Sequence, residues 1–167
     1  MLFRSYILAQ QSQKAVLLEP YHYSVGGKDV LMTSIALPVS EGGRGVGVVG
    51  GDLALDDLQK RISAVRVPFD GHIAVLSPKR LYVSGVPADR LGKPAAAGAP
   101  GIATVDVAGV GSVMRIEQQV RFPGFDAPWT VQVDLPMGEV MATARKVELV
   151  LFLSARSEEH TSELQSH

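Results

Sequence analysis

Three glycines, Gly45, Gly47 and Gly50, have the G-x-G-x-x-G spacing of the loop that holds a dinucleotide pyrophosphate. That chemistry requires a buried strand before the first glycine and a helix that opens inside the motif, so that backbone N–H groups face the phosphates. An acidic residue about twenty positions further on would bind the ribose, and Asp70 stands at that distance. If all three conditions held, the chain would be a soluble oxidoreductase.

The residues around these glycines predict a different local structure. Apolar and β-branched residues over 29–39 predict a strand, the segment 40–44 has turn composition, and the valines after it predict a return strand. Glycines inside such a strand mark a bulge or a close approach of two backbones. The next helix is predicted to begin only at Asp56, as its N-cap, and Asp70 falls in a turn. We therefore favour an antiparallel hairpin, and a nucleotide-binding oxidoreductase is kept as the alternative from a different class.

Other chemistry has little support in the sequence. The chain has no cysteine for disulfides or thiolate metal sites, and His22 stands apart from other metal-binding residue types. A G-x-S-x-G nucleophile motif, which would indicate a hydrolase, does not occur. The formal net charge of −1 gives no reason to expect nucleic acid as a partner. We expect a protein that is not an enzyme and that binds no cofactor or metal.

The rest of the chain is dominated by short strands. In one of them Met114 and Ile116 alternate with Arg115 and Glu117, which predicts a sheet with one wet face. The connections are too short for parallel pairing, so the pattern indicates an α+β fold with antiparallel sheets and flanking helices. Trp129 is expected in the core. Five strands are predicted in this part: 72–77, 80–85, 103–109, 112–122 and 128–135.

We expect the chain to be an internal piece of a longer protein. Residues 3–15 predict a short helix, and a second helix is predicted to start near Gly138. We interpret 137–155 as the start of a transmembrane helix, with an amphipathic terminal helix as the alternative. Residues 156–167 resemble translated sequencing adapter, so this tail is treated as non-native.

Taken in order, segments of the chain resemble the double Cache family, the PAS-like extracytoplasmic sensor region of bacterial chemoreceptors and related sensor proteins. The resemblance implies tandem PAS-like (Cache) modules: 1–58 as the C-terminal half of an incomplete membrane-distal module, and 59–136 as the membrane-proximal module. The segments that carry it are FRSYILA…EPYHY (3–23), GKDVLMTSIALPV (27–39), GVGVVGGDLALDDL (45–58), HIAVLSPKRLYVSGVPADRLGK (72–93) and PWTVQVDLPMGEVMA (128–142).

The resemblance also implies a ligand pocket in the distal module. Arg4 and Tyr6 match the family's R-x-Y segment, Tyr21 its P-Y segment, and Asp52 the G-x-D that ends the hairpin. In the family, Arg and aromatic residues hold a ligand carboxylate, because a guanidinium pairs it through two parallel bonds, and an Asp takes an amino group. Tyr23 stands where amino-acid sensors usually carry a second Asp. An amino acid, an organic acid, another small metabolite or a pocket without a ligand therefore all stay open.

Each of these residues also has a purely structural interpretation. Asp52 would cap the turn into the helix, Arg4 would be solvated, and Tyr6 and Tyr21 would fill core or rim positions. The function implied by the resemblance is the periplasmic sensing region of a methyl-accepting chemotaxis protein. Such a region acts as a homodimer in the bacterial inner membrane and passes ligand binding on through a transmembrane helix. The alternative is the same sensor on a histidine kinase or a diguanylate cyclase.

Overall fold

The computed structural model describes residues 2–147, with side chains from residue 5 onward. Helix α1 (Leu2–Ser12) precedes a first antiparallel sheet, and helix α2 (Leu55–Ser63) leads from it to a second. The α+β prediction with antiparallel sheets and flanking helices is thereby confirmed. The strands of the first sheet are β1 (Val16–Leu17), β2 (Tyr21–Val25), β3 (Lys28–Glu41) and β4 (Arg44–Ala54). Those of the second are β5 (His72–Leu76), β6 (Tyr82–Ser84), β7 (Gly101–Val107), β8 (Gly111–Val120) and β9 (Trp129–Pro136).

The first sheet is organised around its longest strand, β3. β4 pairs with β3 along one edge, while β1 and β2 follow one another along the opposite edge. Helix α1 packs against β3 and β4, with Ser5 and Ala9 buried. The other apolar face of the hairpin is exposed. Its exposed side chains include Ile35, Leu37, Val49 and Leu53.

The predicted hairpin around the glycine motif is confirmed. Gly42 and Gly43 form the two-residue turn with φ of +56° and +81°, a backbone conformation that glycine adopts without steric cost. Gly50 lies inside the return strand, where a Cβ would meet the carbonyl oxygen of Ile35 at 2.8 Å. This glycine therefore permits close approach of two backbones and does not form part of a phosphate loop.

A β-bulge interrupts the hairpin three residues after the turn. Ser40 is paired with Gly45, but Val39, the residue before Ser40 in β3, is paired with Gly47. Val46 is therefore the extra residue of β4, and the register beyond it is shifted by one. The glycine motif contains this bulge, in agreement with the prediction for glycines in a strand.

The start of α2 corrects the sequence prediction. Asp56 was expected as the N-cap, but the N-cap is Ala54, which makes no side-chain capping bond, and Asp56 lies in the first turn. The reason is Leu55, which is fully buried against Val75 and Trp129. Burying this side chain starts the helix directly at the end of β4.

The second sheet has the strand order β6-β5-β9-β8-β7, with every neighbouring pair antiparallel. All five strands predicted from the sequence are present within a few residues of their expected bounds. Trp129 is 7% exposed in the core, where it packs edge-to-face on Phe122 at 5.7 Å between ring centroids. Leu17 and Leu31 of the first sheet pack against the same cluster, so the core is continuous between the sheets.

The prediction that one face of β8 is polar and exposed to solvent is wrong. Glu117 is 3% exposed and accepts two hydrogen bonds of 2.8 Å from the Arg80 guanidinium. The same guanidinium donates to the carbonyl oxygen of Ala96, which holds the loop before β7 over this face. The hydrogen bonds to Glu117 raise the pKa of Arg80 above its ordinary value, so the Arg80 guanidinium stays positively charged at physiological pH. Alternation along the strand is real, but ion pairs and a loop cover its charged face.

Residues 137–147 form a third helix after β9. No helix within residues 2–147 combines the length and the apolar composition needed to cross a membrane. The rest of the predicted transmembrane segment and the adapter-like tail lie outside the described residues. The predicted boundary between modules at 58/59 falls inside α2, and the division into modules stays a prediction.

Candidate functional site

Three of the polar side chains on the first sheet form one hydrogen-bonded row. The Ser34 hydroxyl lies 2.5 Å from the Tyr21 hydroxyl and donates to Asp52 Oδ1 at 2.5 Å. Since the single Ser34 hydrogen is used on the carboxylate, the Tyr21 hydroxyl is the donor to Ser34. The row thus runs Tyr21 to Ser34 to Asp52, across β2, β3 and β4.

The sheet register explains why these residues meet. Asp52 lies directly opposite Ser34, and Tyr21 lies opposite Met32 on the same face. Without the extra residue Val46, Asp52 would be opposite Thr33 and would project to the other face, because successive strand residues alternate. The bulge in the glycine motif therefore places the carboxylate in the row.

The row can recognise a positively charged or hydrogen-bond-donating group. Ser34 occupies one of the roughly four lone-pair positions of the Asp52 carboxylate, so the others remain for a ligand ammonium or hydroxyl. Ser34 is 2% exposed, whereas Asp52 is exposed at the edge of the row. A buried hydroxyl thereby holds an accessible carboxylate in a defined orientation, and charge-assisted hydrogen bonds to such a carboxylate are stronger than neutral ones.

The remaining predicted ligand residues are placed as follows. Tyr23 follows Tyr21 on the same face of β2 and is half-buried. Tyr6 lies on α1, the helix that packs on β3 and β4, and is 41% exposed. The side chain of Arg4 lies outside the described residues. The roles of all five predicted residues, Asp52 included, stay predictions.

Sequence reasoning did not identify Ser34 as a member of the row. A serine inside an apolar strand gives no signal by itself, and its partner depends on the position of the bulge. His22, by contrast, is paired with Asp29 at 2.7 Å on the exposed turn of β2 and β3. No cluster of three or more potential metal ligands occurs among residues 2–147.

Comparison with known proteins finds a family match for the first sheet. Residues 2–60 match the family described as methyl-accepting chemotaxis protein-like, first PDC sensor domain. The methyl-accepting chemotaxis protein TlpQ of Pseudomonas aeruginosa is 36% identical over 80 residues, which is 46% of this chain and 11% of TlpQ. Residues 2–60 contain both the predicted hairpin and the row of Tyr21, Ser34 and Asp52.

Solved structures extend the similarity to the second sheet. A structure called methyl-accepting chemotaxis protein X is 29% identical, with a TM-score of 0.65 over 77% of this chain and 53% of that one. The ligand-binding domain of the Pseudomonas aeruginosa amino acid chemoreceptor PctC, in complex with GABA, shares the fold at 21% identity. Its TM-score is 0.62, over 78% of this chain and 60% of that one. The extracellular domain of the histidine kinase mmHK1S-Z3 has the same fold at 22% identity. Its TM-score is 0.70, and the match covers 85% of this chain and 56% of that domain.

The chain thus spans a small part of its curated relative and little more than half of the solved sensor regions it matches. The fold similarity covers both sheets, and the family match covers the first. These findings confirm the resemblance to the Cache sensor regions of chemoreceptors, with residues 2–60 matching the first PDC sensor domain of methyl-accepting chemotaxis protein-like sensors.

Proposed function

We propose that this chain is the extracytoplasmic ligand-sensing region of a methyl-accepting chemotaxis protein. The observation that carries the proposal is the hydrogen-bonded row of Tyr21, Ser34 and Asp52, which presents an oriented carboxylate on the first sheet. The match of residues 2–60 to a first sensor domain supports placing the ligand on this sheet. The protein is expected to bind and signal without catalysing a reaction.

The ligand that fits this row is a small molecule with an ammonium group, such as an amino acid. Asp52 and the Tyr21 hydroxyl supply acceptors for the ammonium, and Arg4 is proposed to hold a carboxylate from α1. That the structurally similar PctC domain was solved with GABA supports this class of ligand. An organic acid is the second candidate, since it would use Arg4 and the tyrosines without Asp52.

A short path leads from the proposed ligand site to the second sheet. Three residues after Asp52, the chain enters α2 through the fully buried Leu55. On the next turn, Gln59 accepts a hydrogen bond from the Gly85 backbone N–H at 2.7 Å and donates to the Val86 carbonyl oxygen at 2.9 Å. A ligand that shifts β4 would therefore move α2 as a rigid element and pull on the strand end at β6.

The predicted setting belongs to the same proposal. A chemoreceptor sensor of this kind lies on the periplasmic side of the bacterial inner membrane, acts as a homodimer, and continues into the membrane through flanking helices. The helix of residues 137–147 follows β9 directly, so a movement of the second sheet would reach that helix without an intervening loop.

The nearest rival is the same sensor attached to a histidine kinase, and the fold shared with mmHK1S-Z3 favours it over a diguanylate cyclase. The gene sequence downstream of this region separates the candidates. Heptad repeats with a signalling hairpin support the chemoreceptor, whereas a kinase His box or a GGDEF run contradicts it.

The binding function is tested by a thermal-shift screen of the purified protein against amino acids and carboxylic acids. A ligand at 100 times its Kd stabilises the native state by about 2.7 kcal/mol, which is a clear rise in Tm. We expect at least one ammonium-bearing compound to raise Tm in this way. If no member of the panel shifts Tm while NAD does, the sensor proposal fails and the nucleotide alternative is reinstated.

A further inference from the structure

A cavity lies on one face of the second sheet, away from the row of Tyr21, Ser34 and Asp52. Its volume is about 470 Å³, within the range of ligand-binding pockets. Strands β5, β8 and β9 form its floor, the segment from Gly85 to Arg90 forms one wall, and the end of β7 with the turn before β8 forms the other. None of the residues in the proposed distal site lines it.

A rigid polar group stands in the floor of this cavity. Arg115 and Asp134 are opposite each other on β8 and β9 and form two hydrogen bonds, Nε to Oδ1 at 2.7 Å and Nη2 to Oδ2 at 2.6 Å. Both side chains are largely buried, at 13% and 15% exposure. The bonds to Asp134 raise the pKa of Arg115 above its ordinary value. Arg115 therefore stays charged, and its two hydrogen bonds to the neighbouring strand fix the geometry of the pair.

Beside this pair, Gln132 has an unsatisfied acceptor. Its side chain is 5% exposed and lines the cavity, and its Nε2 donates to Asp134 Oδ2 at 3.2 Å. That bond orients the amide, because only the nitrogen end can donate to a carboxylate. The Oε1 atom is buried, and no donor in the part of the chain that the structure describes reaches it. Buried polar atoms are nearly always paired, so an unpaired acceptor on a residue that lines a cavity is a candidate partner for a ligand donor.

The mouth of the cavity supplies a cation. Arg90 lies over the Tyr82 ring, 4.8 Å from its centroid, and its Nη2 donates to the Tyr82 hydroxyl at 3.0 Å. Arg90 is exposed, so its remaining N–H groups can bind an anionic group. The four Arg and Asp side chains of the lining balance in charge: Arg90 and Arg115 against Asp106 and Asp134. A ligand without net charge but with separated charges complements such a lining.

We infer that this cavity is a second ligand site, specific for a small zwitterion whose ammonium donates to Gln132 Oε1 and whose carboxylate binds Arg90. Because Gln59 of α2 bonds to Gly85 and Val86 in the cavity wall, occupation of this site and movement of α2 would be coupled. The site is independent of the distal ligand proposed above and does not require it to exist.

Calorimetric titration with the proteinogenic amino acids tests this inference, on the full chain carrying Asp52→Ala to disable the distal site. We expect one zwitterion to bind this variant. Adding Gln132→Leu, which keeps the size but removes the acceptor, should weaken binding at least about tenfold, the loss typical of an unpaired charged hydrogen bond. Glycine betaine, a zwitterion without N–H donors, should not bind.

A second variant tests the cavity independently, in case Gln132→Leu disturbs folding. Ala108 lines the mouth of the cavity and is exposed, so Ala108→Trp should block entry while leaving the core intact. Binding to Asp52→Ala that is unchanged by both Gln132→Leu and Ala108→Trp overturns the inference, and so does absence of any zwitterion binding to Asp52→Ala. A single site in the unmodified chain that Asp52→Ala removes leaves the proposed distal function standing and this second site refuted. A single site in the unmodified chain that only Gln132→Leu and Ala108→Trp remove supports this second site and refutes the proposed distal site.

Discussion

Replacing Asp52 by Asn is expected to weaken binding of an ammonium-bearing ligand to the distal site by about tenfold to a hundredfold. The change keeps the size and the hydrogen bond from Ser34 but removes the charge, and hydrogen bonds to charged groups contribute about 1.5–3 kcal/mol. Titration calorimetry with the compound identified in the thermal-shift screen measures the change in Kd.

Asp29→Asn is the matched control for this experiment. Asp29 is on the same sheet and its side chain is 68% exposed, but it pairs with His22 at the turn, away from the row. The control removes the same charge and should leave Kd unchanged. Equal losses in both variants would mean that overall charge, and not a contact with Asp52, determines the affinity.

Glu117→Ala is expected to give the largest loss of stability, about 3–5 kcal/mol in the free energy of unfolding. The carboxylate is almost fully buried and receives two bonds from Arg80, so its removal leaves a largely buried guanidinium with only the Ala96 carbonyl. Urea denaturation of the purified protein measures the change. The exposed pair of Lys14 and Asp126 is the control, and Asp126→Ala should change the unfolding midpoint little.

If Glu117→Ala unfolds at the same urea concentration as the unmodified protein, the buried ion pair does not hold the loop before β7, and the interpretation of that face is wrong. Glu117→Gln refines the result. It retains one acceptor for Arg80, so its loss of stability should fall between that of the Ala variant and zero.

Local patterns predicted most of the architecture because hairpins depend on nearby residues. The turn at Gly42 and Gly43 and the β-branched residues on both sides specify an antiparallel pair, so the glycine motif could be assigned to a strand without knowledge of the fold. The family resemblance rested on the order of such segments. The comparisons with known proteins confirmed it.

The features that sequence reasoning missed depend on distant contacts. Glu117 is buried by Arg80, which lies 37 positions earlier in the chain, and alternation along β8 cannot show which partner covers each face. Ser34 joins Asp52 only because Val46 bulges out of β4, and the sequence contains several glycines that could host the bulge. Helix α2 begins earlier than predicted for a similar reason, because burial of Leu55 outweighs the capping preference of Asp56.

We propose that the bulged hairpin presents Asp52, Ser34 and Tyr21 on one face as the recognition surface for a ligand. A crystal structure of the protein with its identified ligand measures this directly. A ligand nitrogen about 3 Å from the Asp52 carboxylate, on the face that carries Tyr21, is the predicted result. A ligand bound elsewhere, with Asp52 in contact only with Ser34 and solvent, would contradict the proposed recognition surface.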